Sequence, residues 1–259
     1  MKSILLATCL SLACARAAER ATDFATALET AKSSHTDIAL LLHGTGWCKP
    51  GERIAAAWKL PTTTSALPGG ILLTSFDKPE NASAVPKQEM ELLKKHLPGV
   101  RSYPAIAMFD AKGRVIALCE GAPAIENLSA TFDWIKRVVA MRRMRDDDWA
   151  AAEKLHGLDK AMKLGQGLDR LSIGLEAKKI YQEVINEMKK ADPGDKSGYI
   201  GKYTFPGLDF TNQVVALAEK KQFPEAEQLL LKWITNPRLN SEQRQQVCAA
   251  RFALYQRWP

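Results

Sequence analysis

Cys48 is the residue whose chemistry most constrains this chain. It stands in the run Trp47-Cys48-Lys49-Pro50-Gly51. In disulfide chemistry the thiolate, and not the thiol, is the nucleophile. A cysteine at the first turn of a helix faces unpaired backbone N–H groups and the positive end of the helix dipole, and both favour S⁻. Lys49 adds a cation beside it. Pro50 is tolerated early in a helix, where its missing N–H is not needed. His43 lies just before the turn Gly44-Thr45-Gly46. It is either a titratable neighbour of the thiol or an ordinary histidine at a strand end.

The compartment decides what the other cysteines mean. Lys2 precedes a short apolar run, Ile4 to Ala7 and on through Leu10, Leu12 and Ala13, closed by Ala15-Arg16-Ala17. This pattern is that of a secretory signal peptide, residues 1–17, with cleavage after Ala17. A lipoprotein signal would instead use Cys14, with Ser11 where leucine is usual. Export predicts a periplasmic or secreted protein in an oxidising medium. Five cysteines are encoded. Cys9 and Cys14 leave with the leader, and Cys48, Cys119 and Cys248 remain. An odd count leaves at least one thiol free or paired with another molecule. Cys119 alternates with Val115 and Ala117 and reads as a buried structural thiol, as does Cys248 on an apolar helix stripe. Alternatives are that Cys119 resolves Cys48, or that Cys119 and Cys248 form a disulfide.

The elements that must position Cys48 follow from periodicity. Thr22 or Asp23 caps a helix carrying Phe24, Leu28 and Ala31. Asp37 to Leu42 is a continuous apolar run, which suits a strand covered on both faces. A helix with Ile54, Ala57 and Trp58 follows the cysteine and stops at Pro61. Ile71-Leu72-Leu73, ending near Phe76-Asp77, is a second strand. Glu89 to His96 is a helix. Ala105 to Phe109 and Val115 to Cys119 flank the short turn Asp110 to Gly113, a hairpin signal. A last helix holds Leu128, Phe132, Ile135 and Val139. The mixed order predicts a central sheet with helices on both faces, over residues 18–145.

After Arg145 strand patterns vanish, and residues 146–259 read as an all-α domain. Its helices carry Tyr181 to Met188, Val214 to Lys221, Leu229 to Trp233, and a last stripe of Cys248, Phe252 and Tyr255. Ser197 to Gly207 reads as a loop. Asn240, with Gln243 three residues on, reads as a capping box. The fragment Ala216-Leu217-Ala218, Phe223-Pro224-Glu225-Ala226, Leu229-Leu230 resembles a tetratricopeptide-like helix pair.

The first domain resembles the thioredoxin superfamily from about Asp23 to Val139. Three features carry this together: the strand leading through Gly44-Thr45-Gly46 into Trp47-Cys48-Lys49-Pro50-Gly51, the motif Ser102-Tyr103-Pro104-Ala105 opening a strand, and the hairpin Met108 to Val115. The resemblance implies a thioredoxin-like fold, a cis-proline at Pro104 across from Cys48, and substrate contacts from Trp47, Pro50, Tyr103 and Pro104. In the family the first motif reads Trp-Cys-x-x-Cys. Here the second cysteine is replaced by Gly51, so the usual intramolecular release of a mixed disulfide has no thiol to perform it. The buried acid common before that motif is replaced by Leu42.

Two functions follow. In one, Cys48 works alone, forming mixed disulfides with a protein or low-molecular-weight disulfide that an outside thiol resolves. In the other, the domain is a non-catalytic scaffold whose helical half binds a protein partner. Neither needs a cofactor. The histidines show no ligand spacing with the cysteines, so no metal site is expected.

The formal charge of +7 falls to about +5 without Lys2 and Arg16. Its one basic cluster, Lys136 to Arg145 closed by Asp146-Asp147-Asp148, reads as a solvated helix face followed by a helix start, or alternatively as an electrostatic patch for an acidic partner. Without interleaved aromatics it predicts no nucleic-acid binding. No later segment approaches the ~18 apolar residues of a membrane span. Asn81-Ala82-Ser83 matches a glycosylation acceptor.

Overall fold

The computed structural model describes residues 18–80, 85, 87–97, 100–121, 125, 127–173, 179–206 and 208–258. Residues 1–17, where a signal peptide was expected and which include Cys9 and Cys14, and the run Asn81-Ala82-Ser83 lie outside them. The chain divides into two compact units between Val138 and Val139.

The first unit is organised around β2 (Asp37–His43), whose seven residues are all buried. A strand with no polar face needs neighbours on both edges and cover on both sides. It lies at the centre of a five-stranded sheet with β1 (Glu19–Arg20), β3 (Ile71–Asp77), β4 (Ala105–Phe109) and β5 (Val115–Glu120), in the order β1-β3-β2-β4-β5. β1, β3 and β2 run parallel; β4 is antiparallel to β2, and β5 to β4. Ile38, Leu40, Leu41 and Leu42 are wholly buried, each stabilising the unit by about 1.5–3 kcal/mol relative to exposure. The register pairs His43 with Asp77 and Leu42 with both Phe76 and Ala105.

The β4–β5 turn is held by Asp110, whose Oδ1 accepts the N–H groups of Lys112 and Arg114, both at 3.0 Å. Helix α1 (Phe24–Ser34) is capped by Asp23, whose carboxylate accepts Thr26 N at 2.7 Å. It buries Phe24, Ala27 and Ala31. Helices α2 (Lys49–Trp58), α3 (Pro61–Ala66) and α4 (Lys87–His96) complete the described helices before β4. Pro61 does stop α2, and it also opens α3, because a proline fits the first helical position.

The second unit is all-helical. Helix α5 (Leu128–Ala152) begins in the first unit and continues into the second, unbroken through Arg145 and Asp146 to Asp148, where the charge pattern suggested a new start. The reason lies in Arg145, which is only 2% exposed. Its guanidinium stands 4.7 Å from the Trp149 ring centre and donates to Asp146 and, at 3.2 Å, to Tyr181 Oη. A side chain read as solvated is therefore part of a core. Helix α6 (Gly157–Asp169), which its sequence did not announce, is followed by a short 3₁₀ turn (Lys179–Tyr181) and α7 (Gln182–Ala191).

A helix α8 (Tyr199–Thr204) occupies most of the stretch read as loop. Asp195 makes it possible by accepting the N–H groups of Ile200 at 2.9 Å and Gly201 at 2.7 Å, donors that a helix start otherwise leaves unpaired. Helices α9 (Leu208–Glu219), α10 (Phe223–Ile234) and α11 (Ser241–Tyr255) share a core of Phe210, Val214, Trp233, Val247 and Leu254. The Asn240–Gln243 capping box is formed. The expected buried stripe is corrected: Val247, Ala250 and Leu254 face inward, while Cys248 is exposed and Phe252 is 66% exposed. One residue's offset on a helix turns a side chain by about 100°, enough to exchange the two faces.

Candidate functional site

Cys48 heads helix α2 as its N-cap, with no side-chain capping bond. Its N–H donates to Gly44 O at 2.9 Å, and its carbonyl accepts Glu52 N at 3.0 Å. The residue is 5% exposed. The turn leading into it is locked by its neighbours. Asp77, at the end of β3, accepts Thr45 N at 2.8 Å and Thr45 Oγ1 at 2.7 Å. Lys78 N donates to His43 O at 2.8 Å, and Trp47 Nε1 donates to Lys78 O at 2.7 Å. A side chain on Gly44 would run into the Trp47 indole, so glycine there lets the ring lie back against the turn.

Pro50 sits in the first turn of α2. Lys49 was expected to add positive charge at the thiol. Its ammonium instead reaches Glu52 Oε2 at 3.0 Å, while Gly46 N donates to Glu52 Oε1 at 2.6 Å. These bonds, the Gly46 N–H foremost, hold the Glu52 carboxyl below its ordinary pKa. The field at the helix start is therefore that of the backbone, with the lysine largely answered.

Tyr103–Pro104 is a cis peptide. The Tyr103 ring meets Trp47 edge-on, centres 5.4 Å apart, so the Pro104 turn and the Cys48 turn adjoin. Lys78 Nζ lies 5.8 Å over the Tyr103 ring, and burial pushes the Tyr103 phenol up. Trp47 is 45% exposed. Glu120, on β5, organises the approach to the proline: its Oε1 accepts Arg101 N at 2.6 Å and Ser102 N at 3.1 Å. Pro104 O accepts Gly121 N at 2.9 Å.

Leu42 is wholly buried on β2, with no acid in its place. Gly51 is buried against β2: a Cβ there would stand 2.7 Å from His43 Cβ and 3.0 Å from Cys48 Sγ. Cys48, Cys119 and Cys248 are all free thiols, in no disulfide. Cys119 is half-buried on β5, and burial, then the neighbouring Glu120, raises its thiol pKa. Among the described residues no group of three or more histidine, cysteine or acidic side chains could hold a metal ion.

Asp77, Glu52 and Glu120 are the residues that sequence reasoning left without a role, while His43 stood open between a neighbour of the thiol and an ordinary strand-end histidine. Asp77 had one visible signal, a carboxylate closing an apolar strand, where water-facing chemistry begins.

A mixed sheet of this order, with the cysteine turn following the central strand and a cis-proline turn beside it, settles the architecture. The first unit has a thioredoxin-like fold. No protein-family model matches the chain, and neither does any curated protein sequence. Similar solved structures include a DsbH oxidoreductase, 19% identical, covering 51% of this chain and 95% of its own at a TM-score of 0.34. Another is a disulphide isomerase from Xylella fastidiosa Temecula1, 16% identical, covering 44% of this chain and 86% of its own, TM-score 0.36. A third is thioredoxin f from spinach chloroplast, 15% identical, covering 48% of this chain and 95% of its own, TM-score 0.34. The strand order and the meeting of Trp47 with Tyr103, and not these likenesses, carry the architectural reading. Among the described residues no helix is long and apolar enough to cross a membrane.

Proposed function

We propose that the chain is an exported monothiol exchange protein in which Cys48 alone forms and releases mixed disulfides. The single observation that supports this most is the placement of Cys48 as the uncapped N-cap of α2, in a turn that touches the Tyr103–Pro104 turn through Trp47. Backbone N–H groups at a helix start stabilise negative charge developing on sulfur. The Cys48 thiolate attacks one sulfur of a disulfide, the S–S bond breaks, and the second sulfur leaves as a thiolate. A thiol from solution, or from a second protein, then attacks the bound half and frees Cys48. Trp47, Pro50, Tyr103 and Pro104 form the surface over which an extended substrate would lie. Residues 1–17 act as the export signal, delivering 18–145 and 146–259 to the periplasm or the medium.

The test is release of a fluorescent thiol from a glutathione mixed disulfide, with glutathione as the second thiol. The wild-type chain accelerates it over glutathione alone, and Cys48→Ser does not. Equal rates for the two overturn the reading.

The second reading is a thioredoxin-like scaffold whose helical unit, in tetratricopeptide-like pairs, docks a protein. It is favoured by the 5% exposure of Cys48, which restricts approach to the sulfur. Under that reading Cys48→Ser leaves every partner complex intact.

A further inference from the structure

The replacement of a resolving cysteine by Gly51 has a counterpart on the neighbouring strand. His43 ends β2 directly under Gly51. The point a Gly51 Cβ would occupy is 2.7 Å from His43 Cβ and 3.0 Å from Cys48 Sγ, so the root of the histidine side chain and the sulfur both lie close against Gly51. A side chain at position 51 would separate them. His43 is 7% exposed, and its Nδ1 is buried and makes no hydrogen bond. Asp77 Oδ1 is 3.5 Å from that nitrogen. A buried imidazole nitrogen with no partner is costly unless something else uses it.

We infer that His43 is the proton acceptor and donor for Cys48, with Asp77 as the positioning residue that steadies the imidazolium. This rests on the exchange reading of Cys48 and supplies what a single thiol lacks. In the first half-reaction the Cys48 S–H proton passes to the His43 ring. The thiolate attacks R–S–S–R′, a Cys48–S–S–R bond forms, and R′–S⁻ leaves and takes the proton from His43. In the second, an incoming R″–SH gives its proton to His43. R″–S⁻ attacks the R sulfur, R–S–S–R″ departs, and Cys48 recovers the proton. The sum is R–S–S–R′ plus R″–SH giving R′–SH plus R–S–S–R″, with no other oxidant or reductant. Rooted against the same glycine as the sulfur, His43 would meet the requirement for general acid–base catalysis directly or through one water.

The charged groups that face His43 come from two elements. Asp77 lies on β3, and Glu52 and Lys59 lie on and just beyond α2. Burial holds the imidazole below its ordinary pKa, against the pull of Asp77. It is thus neutral and able to accept a proton at pH 7.

The experiment is the rate of Cys48 alkylation by iodoacetamide against pH, followed by peptide mass, in the full chain. It reads thiolate formation whether or not any disulfide is a substrate, so its failure is distinct from failure of the exchange assay. His43→Gln should react about tenfold more slowly than wild type at pH 7 and show a different pH profile, and Asp77→Asn should fall between. A second measurement covers loss of fold in the variants. In wild type the His43 ring resonance is titrated by NMR, with Cys48 free and then capped as its S-methyl disulfide. By linkage the two groups must perturb each other equally, so capping should move the His43 midpoint. An unchanged midpoint, or identical alkylation profiles in wild type and His43→Gln, overturns the inference.

Discussion

Gly51→Ala sets two opposed effects of known size against each other. Gly51 lies in the first turn of α2. In an open helix position alanine would stabilise by about 0.5–1 kcal/mol, through helix preference and a less disordered unfolded chain. Here the new methyl would stand 2.7 Å from His43 Cβ, 3.0 Å from Cys48 Sγ and 3.4 Å from His43 Cα. Carbon–carbon contacts are optimal at about 3.5–4.0 Å. Two of the three atoms belong to the backbone end of a residue on the central strand, so no rotamer change relieves them. Overpacking of this kind costs about 1–3 kcal/mol. At the centres of the two ranges the crowding wins, and Gly51→Ala should destabilise the first unit by about 1 kcal/mol. In a His43→Gly background the nearest contact vanishes, and the same substitution should become neutral or favourable, a coupling of about 1 kcal/mol. The assay is hydrogen exchange of the β2 amides, which reports opening of this unit and not of the helical one. Stabilisation by Gly51→Ala in the wild-type background, or an equal effect in both, would refute the reasoning.

Three further outcomes are expected. Because burial lowers the His43 pKa in the folded state, the unfolded chain takes up a proton below about 6.5 that the folded chain does not. Stability of the first unit should therefore fall between pH 7 and pH 5, and His43→Gln should flatten that slope in denaturant titrations. Glu120→Ala removes the acceptor for Arg101 and Ser102 N–H, so both amides should exchange faster with solvent water. Glu120→Gln, which keeps an acceptor oxygen, should restore much of the protection. Asn240→Ala dismantles the capping box of α11 and should cost about 1 kcal/mol, measured by guanidinium unfolding of the helical unit.

The sheet was legible because its strands are written as runs that no other element accommodates so simply: Ile38 to Leu42 and Ala105 to Phe109 are buried without interruption. The two-residue β1 is too short to leave a pattern, and it joins the sheet only through β3. Helix α5 was cut at Arg145 because a charged cluster normally signals water. The compensation lies in Trp149 and Tyr181, and Tyr181 is far along the chain. The α11 stripe was placed on the adjoining face because Cys248, Phe252 and Tyr255 step by four and three and Val247, Ala250 and Leu254 by three and four, both helical spacings, and periodicity alone does not choose between two apolar faces.

In the site, Trp47, Cys48, Pro50, Tyr103 and Pro104 could be named from local motifs. The pairing of His43 with Asp77 could not, since it depends on the register of β2 against β3. Nor could the use of Glu52 to hold both Gly46 and Lys49, which requires knowing how the turn folds back on the helix.

The most direct measurement is to incubate the reduced full chain with glutathione disulfide and map the adduct by peptide mass. Cys48, at 5% exposure, competes there with Cys248, which is plainly exposed. Activation at the head of α2 predicts that glutathione joins Cys48 first and is released again by excess free glutathione. Accumulation on Cys248 while Cys48 stays unmodified would contradict it.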